Sequence, residues 1–224
     1  MQQHRLRTVG VAAIALFVLV ACDADDEAPA TAQPSANAVT NMNAEEVATQ
    51  FVEAYGAFDA EEAITYLAPD AAILELITSV GAHRGVSGTL DELRLVISLL
   101  RAEGYRQTLD SCEGQGDSAS GTMVNCTFDF HLFGSDRLGF GPYGGSSFDL
   151  TVLDGEIVRA GAAFEVEEFS REMWEPFEAW VSEAYPDDAT AMYDDENHTG
   201  VRLTEESVRL WRRHVRGYVE VMGS

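Results

Sequence analysis

The stretch Thr122 to Phe133, T-M-V-N-C-T-F-D-F-H-L-F, constrains the chain more than any other. Val124, Cys126, Phe128, Phe130 and Leu132 are apolar, and Asn125, Thr127, Asp129 and His131 between them are polar. A period of two over this length argues for a long strand with one buried face. Such a face needs a covering layer, and the helical patterns at both ends of the chain are there to supply it.

Taken in order from Asn43, the folded part opens on helices. Asn43-Ala-Glu-Glu46 has the form of a capping box, and Val47, Phe51, Ala54, Tyr55 and Phe58 follow at helical spacing. Asp59, with Glu62 three later, starts a second short helix ending near Leu67; Pro69 breaks it, and Ala71 to Ile77 reads as a strand. Thr89 to Glu92 caps a third helix, with Leu93, Ile97 and Leu100 toward the core and Gly104 as its stop. Tyr105 to Cys112 is the next strand, and a Gly/Ser/Asp-rich turn from Gly114 to Gly121 leads into the long one. After the loop Gly134 to Gly145 comes a hairpin, Ser146 to Leu153 and Glu156 to Val166, turning at Asp154-Gly155. A three-residue loop with Gly155 as a bulge sets Phe148, Leu150 and Val152 opposite Ala162, Ala160 and Val158. That keeps one face apolar, which a two-residue turn does not.

The C-terminal residues are helical again. Ser170 starts a segment with Met173, Trp174, Phe177, Trp180 and Val181, in which Pro176 requires the helix to begin close by. A short turn follows Pro186, and Thr204 caps a last helix carrying Val208, Trp211, Val215, Tyr218 and Met222 on one face.

The first 21 residues read as a lipoprotein signal peptide. His4, Arg5 and Arg7 form a positive start, and the apolar run Val9 to Val20 is too short for a spanning helix. It ends in Leu19-Val20-Ala21-Cys22, similar to a bacterial lipobox, so Cys22 is the expected acylation site. Residues 22–42, rich in Ala, Asp, Thr and Pro, read as a disordered tether with a reach on the order of 25 Å. The expected location is the outer face of the cytoplasmic membrane, with the membrane as a partner through acylated Cys22. Outside the membrane Cys112 and Cys126 are the remaining thiols, and a cross-strand disulfide is expected between them.

Charge narrows the partners. Among 224 residues, 38 are acidic and 14 basic, a net charge of -24. Such a surface repels phosphate, so nucleic acid is not an expected partner.

The order of helices, one strand, a helix and a run of long antiparallel strands resembles the nuclear-transport-factor-2-like superfamily, which includes ketosteroid isomerase, scytalone dehydratase and SnoaL-type polyketide cyclases. The carrying residues are Phe51-Val-Glu-Ala-Tyr-Gly-Ala-Phe-Asp59, Tyr66-Leu-Ala-Pro-Asp-Ala-Ala72 and Val152-Leu-Asp-Gly-Glu-Ile157. Gly141 to Val219 also resembles actinobacterial members. The resemblance implies an α+β fold: a cone-shaped, curved antiparallel sheet wrapped around N-terminal helices over residues 43–168. A C-terminal helical extension, 169–224, packs on the same domain. It implies an apolar pocket and does not by itself imply an enzyme.

Phe51, Tyr55, Tyr66, Glu75, Phe128 and Phe130 are the expected pocket residues. Glu75, which interrupts an apolar run, is the candidate base, since burial raises a carboxylate's pKa toward usefulness. Asp129 and His131 share a strand face, the one opposite Phe128 and Phe130. No serine lies in a nucleophile elbow and the five histidines are scattered, so no cofactor is implied. Asp195, Asn197, Thr199 and Glu206 stand at spacings of a calcium-binding loop, against the plainer reading of a polar loop before a helix. The function expected is binding of a small apolar ligand or an envelope partner. The alternatives are an isomerase, dehydratase or hydrolase for hydrophobic molecules, and an interaction module with a filled pocket. A homodimer is left open.

Overall fold

The computed structural model describes residues 42–224 apart from Glu196 and Thr199. The signal peptide, Cys22 and nearly all of the tether, with Thr199 of the calcium-loop pattern, therefore lie outside the described residues.

Helix α1 (Ala44–Gly56) starts on a full capping box: Asn43 accepts from the Glu46 amide and the Glu46 carboxylate accepts from the Asn43 amide, both at 2.9 Å. Its stripe Val47, Phe51, Val52 and Tyr55 is buried. Helix α2 (Ala60–Thr65) is capped by Asp59. Strand β1 runs Leu67–Ala72, and the chain then turns into a short helix, α3 (Leu74–Thr78). The expected strand Ala71 to Ile77 is thus wrong in its second half. Ile73, Leu76 and Ile77 are the buried positions, a helical i, i+3, i+4 stripe rather than an alternation. Helix α4 (Leu90–Ala102) is capped by the Thr89/Glu92 box and stopped by Gly104, whose φ of 74° suits glycine.

Strands β2 (Arg106–Ser118), β3 (Gly121–His131), β4 (Tyr143–Leu153) and β5 (Glu156–Ala163) complete a five-stranded sheet in the order β1-β5-β4-β3-β2. β1 is parallel to β5 and the other pairings are antiparallel. The fold is therefore α+β, an open curved sheet with helices contributed by both ends of the chain. Val124, Cys126, Phe128 and Phe130 are buried along β3. The turn expected at Gly114 to Gly121 is mostly strand: β2 continues through it with an irregularity between Gly114 and Gly116. Cys112 and Cys126 lie opposite each other and are joined by a disulfide. Closing a loop of 14 residues' separation contributes roughly 3 kcal/mol in the chain-entropy model.

The β4–β5 hairpin combines features of both sequence registers. Its turn has two residues, Asp154 and Gly155 at φ 53° and 85°, pairing Leu153 with Glu156. A bulge then skips Val158, so Thr151 meets Arg159 while Leu150 and Phe148 meet Ala160 and Ala162. The bulge, and not the turn, restores the apolar face. Val152 pairs with Ile157 instead of Val158.

Between β3 and β4 lies a single turn, α5 (Ser135–Leu138). After β5 come a short turn, α6 (Glu167–Phe169), a π-helical segment (Ser170–Trp174) and α7 (Glu175–Ala184). Pro176 falls in the first turn of α7, and its missing N–H leaves one fewer bond back into the wider π turn. Helices α8 (Pro186–Met192) and α9 (Glu205–Met222) finish the chain. The apolar stripe of α9 ends at Val219, and Met222, placed on it from sequence, is exposed.

The extension is tied to the sheet through Phe133, just past β3. Its ring lies 4.8 Å from Phe177, 5.4 Å from Phe169, 5.4 Å from Trp211 and 5.9 Å from Trp174, centre to centre. Phe133→Ala is expected to destabilise the whole unit by about 3–5 kcal/mol, because alanine keeps the left-handed backbone of this position and empties the ring's place. Chemical denaturation followed by tryptophan fluorescence measures this, and a loss below 1 kcal/mol contradicts a shared core.

A candidate ligand pocket around Glu103

A cavity of ≈ 240 Å³ opens where the end of α4, the end of β3, the segment after β5 and the extension converge. Leu100, Phe130, Leu132, Phe164, Phe169 and Trp174 supply its apolar wall, and Ser79 and Ser170 are polar at its edge. Val166, 48 % exposed, stands on the solvent side. One ionisable side chain lines it: Glu103.

Local sequence explains why Glu103 is there. Leu93, Val96, Ile97 and Leu100 form the buried stripe of α4, and position 103 is the next on that stripe. As the C-cap residue it donates its N–H to Leu99, while its carbonyl accepts from the Phe133 N–H at 2.9 Å. The backbone is thus pinned on both sides, and the side chain has 3 % exposure for the residue as a whole. Among the described residues no side-chain hydrogen bond or ion pair holds its carboxyl. Burial pushes the carboxyl's pKa well above the ordinary range. Two buried tyrosines feel the charge in return. Tyr55 and Tyr193 are raised first by burial; Glu103 raises Tyr55 next, and Glu178 and then Glu103 add to the shift of Tyr193.

The sequence-based pocket needs correction. Phe130 lines the cavity, but Phe51, Tyr55 and Phe128 do not. They fill the interior themselves: Tyr55 stands edge-on 5.3 Å from Phe148, and Phe148 lies 4.8 Å from Phe128. Tyr66 ends α2 and receives the Ile157 amide on its carbonyl, away from the cavity. Glu75 does not line this cavity; it lies with Thr78, Ser79, Asp149 and Gly161 at a separate, more open one of ≈ 310 Å³. It lies on α3 with its side chain 64 % exposed, ion-paired to Arg159 at 2.6 Å. Leu76 and Ile77 take the inward positions, where the strand reading had made Glu75 the inward candidate. The missed residue, Glu103, had a signal: it follows Leu100 by three on an apolar stripe and stands directly before the stop glycine.

Asp129 and His131 face away from the cavity, opposite Phe128 and Phe130. His131 Nδ1 lies 3.0 Å from Ser135 Oγ under the loop leading to β4. In the proposed calcium loop, Asp195 Oδ1 accepts from the Asn197 amide at 2.9 Å, and Glu206 is an exposed first-turn residue of α9 within 3.9 Å of Arg209. No group of three or more His, Cys, Asp or Glu that could hold a metal occurs among the described residues.

The sequence matches no family model and no curated protein. Solved structures similar to this chain include a putative polyketide cyclase from Sinorhizobium meliloti, 16% identical over 55% of this chain and 97% of that one, TM-score 0.36. A putative polyketide cyclase from Pseudomonas putida is 14% identical over 58% and 98%, TM-score 0.39. An NTF2-like protein from Cytophaga hutchinsonii is 11% identical over 55% and 91%, TM-score 0.37.

The buried acid makes stability depend on pH in a definite direction. Its folded pKa lies above the unfolded value near 4.5, so the folded state holds the proton longer. Stability from this group is complete below pH 4.5 and is lost as pH rises from there through the raised folded value. Glu103→Gln is expected to match the parent chain near pH 4.5 and to exceed its stability at neutral and higher pH. Urea midpoints across that range check this; parallel pH curves for the two proteins contradict it.

Proposed function

We propose that this protein is an envelope-tethered binding protein for a small, mainly apolar ligand, held in the cavity with Glu103 as its polar anchor. One observation carries the reading: an unpaired carboxyl on the wall of a mainly aromatic and aliphatic pocket. An isolated buried acid costs stability that a filled hydrophobic core does not, and a ligand group able to pair with it offsets that cost. The volume, ≈ 240 Å³, lies just under the range of about 300–1,000 Å³ usual for drug-sized ligands. It suits a single ring with a short arm.

A second reading rests on the same acid. With its pKa raised by burial, Glu103 has the character of a general acid–base in an apolar site, which suits an isomerase, dehydratase or hydrolase. Native mass spectrometry of the chain purified from its own host addresses both readings. A bound small molecule is expected, and Val80→Trp, which crowds the cavity that Val80 lines, is expected to lose it; a reproducibly empty parent protein overturns the binding role. If the molecule found is also converted, and Glu103→Gln retains binding but slows conversion by about 10²-fold or more, the enzyme reading replaces the simpler one.

The tether belongs to the proposal as well. The lipobox-like Leu19 to Cys22 supports acylation of Cys22, and two acyl chains give stable anchoring where one does not. Blocking lipoprotein signal peptidase with globomycin is expected to leave a heavier, unprocessed precursor. An unchanged mass, or a Cys22→Ala protein that still partitions into membranes, contradicts the anchor.

A further inference from the structure

The proposal above leaves the ligand's chemical class open, and the surroundings of Glu103 narrow it. Four aromatic residues line the same cavity, Phe130, Phe164, Phe169 and Trp174. They belong to one packed array: Phe130 lies 5.3 Å from Phe164 and 5.8 Å from Phe169, and Phe169 lies 5.4 Å from Phe133, which stacks 5.9 Å from Trp174. No arginine or histidine lines the cavity. Glu103 also sits at the C-terminal end of α4, a helix of 13 residues whose dipole places partial negative charge there.

These features share a sign. A carboxyl, a helix C-terminus and aromatic π systems all stabilise a positive charge, and no cationic side chain lines the cavity to stabilise a negative one. The chain as a whole, with net charge -24, raises the local concentration of cations and lowers that of anions. A neutral ligand would gain from the apolar walls and a single hydrogen bond to the protonated acid. A primary ammonium gains the same walls and also an ion pair inside a low-dielectric pocket. The other ionisable groups coupled to Glu103 are Tyr55 of α1 and Tyr193 after α8. Both are tyrosines held neutral by burial, so neither competes as a counter-ion.

We infer that the ligand of this pocket is a lipophilic primary amine, its ammonium paired with the Glu103 carboxylate and its apolar body among Phe130, Phe164, Phe169 and Trp174. The inference rests on the pocket being a ligand site. Binding is a proton exchange: the cation enters with its charge, the Glu103 carboxyl releases its proton to solvent, and the pocket stays electrically neutral throughout.

The test uses the full chain and three probes of similar shape: 2-phenylethylamine, 2-phenylethanol and 3-phenylpropanoate. Isothermal titration at neutral pH in two buffers of different ionisation enthalpy reads both affinity and protons released. The amine is expected to bind about tenfold or more tighter than the alcohol, with the anion weakest and about one proton released per amine bound. Glu103→Gln is expected to abolish the proton release and most of the amine preference. Phe164→Leu keeps an apolar side chain there and removes one ring, and is expected to narrow the preference without changing the proton count. Alcohol binding as tightly as amine, or amine binding with no proton released, overturns the amine assignment and leaves the pocket reading standing. No binding of any probe, together with an empty protein from the native host, overturns both.

Discussion

Phe133 leaves the long strand in a left-handed backbone conformation, φ 57°, which costs a phenylalanine on the order of 1–2 kcal/mol. Its surroundings oblige it to stay there. The ring is enclosed by Phe169, Trp174, Phe177 and Trp211, which come from the extension, while its amide donates to the Glu103 carbonyl. Sheet, helix α4 and extension therefore meet at one residue. Moving any of the three breaks either the aromatic cluster or the hydrogen bond, so the strained conformation is held by more interactions than it costs. Gly134 follows at φ 71°, and the close approach of Val219 from α9 leaves no room there for a Cβ.

That junction also fixes the pocket. Glu103 is held through its backbone by Leu99 and Phe133, and the ring partners Phe169 and Trp174 form part of the cavity wall. The extension is thus a wall of the site as well as a cover for the sheet's end. The π-helical segment that carries Ser170 and Trp174 gives the chain a wider turn where the wall is made. Pro176 two residues on is compatible with it, because the bond a proline cannot donate is one that this irregular turn does not need in α-helical form.

Much of this was legible in the residues. The alternation of β3, both capping boxes, the glycine stop after α4 and the cysteine positions each encode a local rule, and each is found where the rule puts it. Errors arose where two rules compete over a few residues. Ile73 to Ile77 is apolar enough for a strand, yet its buried positions follow a helical spacing, so Glu75 rotates out to Arg159. The hairpin shows the same limit in another form. The requirement for an apolar face was right, but a bulge at Val158 met it where a longer turn had been expected. Glu103 went unread because a glutamate beside a stop glycine looks like a solvated helix end. Only packing from Phe133 and the extension, more than 25 residues away in sequence, turns that end inward.

The pocket's position follows from the same competition for space. Tyr55, Phe51, Phe128 and Phe148 are buried and packed ring against ring, and none of them lines the cavity around Glu103. The cavity around Glu103 lies toward the end of the sheet, between the end of α4 and the rings of the extension. A carboxyl placed among the inner rings would have had neither solvent nor ligand as an outlet. At the edge, Glu103 keeps a buried position while its neighbours Val166 and Ser170 lead outward. A carboxyl whose pKa burial raises ionises more readily once a cation pairs with it, and this edge is where such an approach is open.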